Sequence, residues 1–75
     1  MALVEKYCIV VIDDGCQFYG GDVVSNRMSN PYFVQDPADS VLYSTYSDAI
    51  TKRDSIRLAI PNNTVLVARY IISES

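Results

Sequence analysis

The sequence predicts an α+β fold: a small antiparallel or mixed sheet of three to five strands with one helix packed on one face, in the order ββ(β)βαβ. Three observations carry this. Thr45 to Ile60 is the one stretch with helical periodicity and signals at both ends. Val4 to Asp13 and Thr64 to Ser73 are strand-like and apolar on both faces. Asp13-Asp14-Gly15-Cys16 is hairpin chemistry directly after the first of these. At 75 residues the chain makes one domain, residues 1–75.

The first strand, Val4 to Asp13, carries Tyr7, Ile9 and Val11 on one face and Cys8, Val10 and Ile12 on the other. A two-residue turn at Asp14-Gly15 pairs Asp13 with Cys16 and returns the chain as Gln17-Phe18-Tyr19, which Gly20-Gly21 ends. That register keeps Cys8 away from Cys16, so Cys8 reads as core filler and Cys16 as a thiol beside the turn. Asp22 to Ser40 is long for a connection in so small a protein. Its polar middle is a loop, and Tyr32 to Val34 is either a short strand or a lid. Val41-Leu42-Tyr43 is a short strand leading into the helix.

Thr45 and Asp48 fit a capping box, with the Thr45 oxygen accepting from a free N–H of the first turn. Pro61 ends the helix. Tyr46, Ala49, Ile50, Ile56 and Ile60 fall on one side, together with Arg53 and Arg57. The two arginines have two readings: stems laid along the sheet with charges at its rim, or a positive ridge that meets an acidic or phosphate-bearing ligand, nucleic acid included. Asp48–Lys52 and Asp54–Arg57 are spaced as helix-surface pairs. The last strand places Val65, Val67, Arg69 and Ile71 on one face and Leu66, Ala68, Tyr70 and Ile72 on the other. The first and last strands are the most apolar and are expected side by side in the centre of the sheet.

Composition narrows the functions. The net charge is −3 and the sequence pI about 4.5, which disfavours nucleic acid and anionic membrane and permits a basic protein surface. With no His and two Cys, a zinc site has too few ligands, and no cofactor is expected. Asp13, Asp14 and Asp22 lack the spacing of a calcium loop, and Gly20-Gly21 lacks the Lys-Ser/Thr of a phosphate loop. With no His as a general base and little room for a deep pocket, an enzyme is not expected. No stretch approaches the length of a membrane span, and Met-Ala-Leu-Val-Glu-Lys lacks the basic start of a signal peptide, so a cytoplasmic location and no membrane partner are expected.

What remains is binding. A single helix covers one face of the sheet, and the other face is apolar too, so it calls for a partner: a second copy, joined through an apolar sheet face or edge, or another protein. The alternative is that Asp22–Ser40 folds over that face. Arg27, Met28, Tyr32 and Phe33 read as a binding loop, because aromatics and Arg are enriched at interface hot spots, with the Asp13–Asp14 turn as a further contact. Tyr32 and Phe33 have a second reading, closing the end of the core. A nucleic-acid or nucleotide binder using Arg53 and Arg57, and a self-assembling structural protein, are the alternatives.

At Leu42-Tyr43-Ser44-Thr45-Tyr46-Ser47-Asp48-Ala49 the chain resembles small phage-encoded and bacterial ββαβ proteins, in which an apolar-aromatic strand runs through Ser into a helix opening with acid-Ala. The hairpin Tyr7 to Phe18 fits the same outline, and the Asp22–Ser40 insertion departs from it. Many phage proteins of this size and acidity are similar to inhibitors of bacterial immunity, anti-CRISPR proteins among them. The resemblance implies a non-enzymatic inhibitor that occludes a host defence complex in the host cytoplasm; it carries no functional residue across.

Overall fold

The computed structural model describes residues 2–13 and 15–74. Four strands, β1 (Ala2–Val11), β2 (Gln17–Ser25), β3 (Met28–Val34) and β4 (Val65–Glu74), form one antiparallel sheet in the order β3-β2-β1-β4. One helix, α1 (Tyr46–Ala59), and a 3-10 turn at Pro37–Asp39 lie between β3 and β4. The fold is α+β, with a curled sheet.

β1 and β4 pair along their whole length, from Ala2↔Glu74 to Val11↔Val65. Their adjacency follows from their shared apolar character, but only β1 is central. β4 forms an edge. Its second apolar row lies on the sheet face opposite the helix rather than facing a further neighbouring strand.

Alternation fixes the two faces. Ile9, Val11, Tyr19 and Val65 meet Ile56 of the helix in the core, and Phe33, Val41, Tyr43 and Ile60 pack around them. The register then sends Cys8, Val10, Phe18, Val34, Leu66 and Ala68 to the opposite, outer face. The helix forms where the capping signals place it: Thr45 is the N-cap, its Oγ1 accepts from Asp48 N at 3.2 Å, and Ile60 is the C-cap before Pro61. Lys52 and Asp54 form other pairs than the helix spacing suggests. Lys52 reaches Asp22 at 3.0 Å and Asp54 takes Arg53 at 3.1 Å.

The first hairpin is one place off the sequence expectation. Val11 faces Gln17, so residues 12–16 make the connection instead of two residues alone. Asp14 lies outside the described residues. Both cysteines are free, Cys8 buried and Cys16 exposed.

Gly20-Gly21 does not end β2. The register shifts between Tyr19 and Gly21, and the strand runs on to Ser25. Gly21 takes φ +139°, a backbone that side-chain-bearing residues rarely adopt. Among the described residues β2 pairs only with β3 beyond the shift, while β1 and β2 meet only at Val10↔Phe18 and Val11↔Gln17. The sheet therefore splits into two ribbons. The Val41–Tyr43 segment enters the split as a bridge rather than a strand: Val41 donates to the Tyr19 carbonyl, and Tyr43 exchanges both backbone bonds with Tyr7.

The long Asp22–Ser40 connection is thus largely a hairpin. It adds strands to the sheet and does not lie across its apolar face. Asn26 (φ 50°) and Arg27 (φ 64°) close it, both in left-handed backbone, as a type I′ turn requires. Arg at the second turn position costs about 1 kcal/mol that glycine does not. Arg27→Gly is expected to raise the unfolding free energy by about that amount, and Gly21→Ala to lower it by about 1–3 kcal/mol. Urea titration checks both.

Candidate protein interface

The outer sheet face is the candidate site. α1 lies on the inner face, and α1 is the one α-helix among the described residues. Cys8 and Val10 are buried at its middle, while Leu66 and Tyr32 around them are 39% and 43% exposed. The β2–β3 ribbon extends the face: Val23 and Met28, 53% and 65% exposed, stand on the same side as Tyr32. Val24, on the ribbon's other side, is also exposed.

Tyr32 is held flat by the glycine pair. A Cβ on Gly20 would lie 2.7 Å from Tyr32 Cε2, and one on Gly21 would lie 3.1 Å from Tyr32 Cε1. The bare backbone is a seat for the ring. The result is a half-exposed aromatic with restricted freedom, the side-chain type that loses least entropy on binding.

The ribbon's direction is set by a polar knot. Tyr19 donates to Asp22 Oδ1 at 2.8 Å, Lys52 donates to Oδ2 at 3.0 Å, and the Lys52 ammonium stands 5.3 Å from the Tyr19 ring centroid. This ties the start of the ribbon to the middle of α1. The Tyr19 and Lys52 donors hold the Asp22 carboxyl below its ordinary range. Asp22 in turn raises Lys52. Burial first, then the Asp22 bond, pushes the Tyr19 phenol up to about 12. Beside the knot, Tyr43, Asp48, Thr51, Lys52 and Ser55 line an open groove of about 530 Å3. Its lysine is already committed to Asp22.

The residues named from the sequence do not form one patch. Arg27, Met28 and Tyr32 share the β2–β3 ribbon. Phe33 points into the core, edge-on to Tyr19 at 6.4 Å, because alternation sends it to the face opposite Tyr32. Asp13 sits at the other end of β1, where both its oxygens accept from Thr64, and that contact lowers its carboxyl pKa. Arg53 and Arg57 belong to the helix: Arg53 pairs with Asp54, and Arg57 donates to the Val65 carbonyl at 3.0 Å. Val23, Phe18 and Leu66 were missing from that set. The alternation of the last strand marks Leu66, and the apolar pair Val23-Val24 in a polar stretch marks the ribbon.

A group held protonated by folding stabilises the fold fully below its unfolded pKa and loses that contribution as pH rises through the folded value. For Tyr19 the window runs from about pH 10 to about pH 12. Lys52, also raised, acts in the same direction. Tyr19→Phe removes one titrating proton, so its alkaline loss of stability is expected to be shallower than that of the wild type. Urea unfolding across the window measures the slopes.

No protein-family model matches the chain, and neither a curated protein nor a solved structure gives a match.

Proposed function

We propose that the chain is a non-enzymatic protein-binding module that seats another protein on its outer sheet face and on the β2–β3 ribbon. The observation that carries this is the ribbon itself: Tyr32, Val23 and Met28 stand exposed on one side of it, continuous with the apolar rows of β1 and β4. A seated aromatic amid aliphatic contacts, with Arg27 at the tip, has the make-up of an interface hot spot. The net charge of −3 favours a basic partner surface. The resemblance at Leu42–Ala49 gives the reading its specific form: a phage-encoded inhibitor of a bacterial defence complex, acting by occlusion in the host cytoplasm. No helix among the described residues is long and apolar enough to cross a membrane.

A nucleic-acid partner is supported less well. Arg27 is at the ribbon tip, Arg57 is bound to a backbone carbonyl, and Arg69 lies 3.6 Å from Glu5, so these cations do not converge on one groove. The expected homodimer is retained, on a surface other than the one offered to the partner.

The test is affinity capture from bacterial lysate with the chain as bait. Wild-type bait is expected to retain a host protein. Val23→Glu combined with Met28→Glu should lose it with circular dichroism unchanged, since both side chains are exposed. Leu58→Glu, on the exposed side of the helix, should keep it. Equal capture by all three baits removes the ribbon from the reading.

A further inference from the structure

Among the described residues β4 has β1 on one side and no strand on the other. Its backbone groups alternate in direction. Ile12 donates to the Thr64 carbonyl, so that oxygen faces β1 and the Val65 carbonyl faces away. Arg57 takes the Val65 carbonyl. Tyr7 uses both its backbone groups on Tyr43, on the side away from β4, so its ladder neighbour Arg69 also turns outward. By the same alternation Val67, Arg69, Ile71 and Ser73 point both N–H and C=O out of the sheet.

Proteins commonly blunt such edges with proline, bulges or charge. The opposite edge of this sheet has that protection, with Pro31 in the middle of β3. β4 has none of comparable strength. Its register with β1 is unbroken, it contains no proline, and Arg69 is the one charge between Val65 and Ser73.

We propose that β4 pairs antiparallel with β4 of a second copy about a two-fold axis at Tyr70, joining the two sheets into one. The register follows from the side chains. An axis at Arg69 sets Arg69 against its own copy, like charge against like. An axis at Ile71 sets Arg69 opposite Ser73 and leaves Val67 without a partner among the described residues. An axis at Tyr70 sets Arg69 opposite Ile71 and Val67 opposite Ser73, so every outward residue between 67 and 73 finds an outward partner. On the outer face it brings Tyr70 to Tyr70 and Ala68 to Ile72, which makes the apolar faces of the two copies continuous. A second copy is the fitting occupant because β4 is its own complement in this register, and because Pro31 blocks the β4-to-β3 contact that would grow a filament. The dimer leaves the outer face open, so it stands independently of the protein-binding reading.

Sedimentation equilibrium of the wild-type chain from micromolar to near-millimolar concentration is expected to show a monomer–dimer equilibrium. Ile71→Lys sets an ammonium opposite Arg69 of the second copy while giving Glu5, across the ladder in its own chain, an opposite charge. The variant should stay folded by circular dichroism and weaken the dimer by about tenfold or more. Ile71→Glu has the opposite signs and should leave the dimer at least as tight. At an antiparallel two-fold the Tyr70 Cα atoms come about 4.5 Å apart, within disulfide reach. In a Cys16→Ser background, Tyr70→Cys should oxidise to a linked dimer and Ala68→Cys should not. A chain that stays monomeric throughout overturns the proposal, as does a dimer indifferent to Ile71→Lys or linked better through position 68.

Discussion

One helix has to shelter a sheet longer than itself. α1 has 14 residues, roughly 21 Å of axis, while the ten-pair ladder of β1 with β4 spans roughly 33 Å. The helix covers the ladder where Val11, Ile9 and Val65 lie, and its first residue, Tyr46, stacks edge-on against Tyr7 at 5.6 Å. Beyond Tyr7 the ladder continues as a two-stranded ribbon with Leu3 and Ile71 exposed. The fold thus has a dry half, which supplies its stability, and a half where Leu3 and Ile71 stand exposed among the described residues.

The split of the sheet has the same origin. With β2 leaving β1 after two residue pairs, the backbone of Tyr7 and Tyr19 needs other partners, and Val41–Tyr43 supplies them on its way to the helix. The divergence starts at the glycine pair, where the register shifts and Tyr32 is seated. Tyr19, Asp22 and Lys52 then fix the angle of the departing ribbon with one short hydrogen bond, one ion pair and one cation over a ring. Stability and display are coupled here, because the contacts that hold the ribbon to the helix also aim its apolar side.

The helix was legible in the sequence because its cap, periodicity and proline stop agree with one another. So was the pairing of the first and last strands, since each is too apolar to face water twice. The position of β4 was not: two apolar rows describe a central strand and an edge strand of a half-covered sheet equally well. The β2–β3 hairpin was hidden for two reasons. Gly20-Gly21 has the look of a terminus where it works as a bulge, and Asn26-Arg27 lacks the glycine that marks most type I′ turns. Without the hairpin, the alternation that separates Tyr32 from Phe33 is not legible, so each of the two readings, binding loop and core closure, takes the aromatic pair together, while the structure gives one residue to each.

The ladder of β1 with β4 also bears on how the molecule is made. During synthesis β1 precedes its full-length neighbour β4, which emerges only after the hairpin and the helix. Until then Ile9 and Val11 have no Val65 beside them, and local contacts alone cannot hide them. Closing so wide a loop is entropically slow, and the nascent chain is vulnerable to mispairing for as long as it waits. A fold built this way gains its final shape in one late step, when β1 and β4 meet.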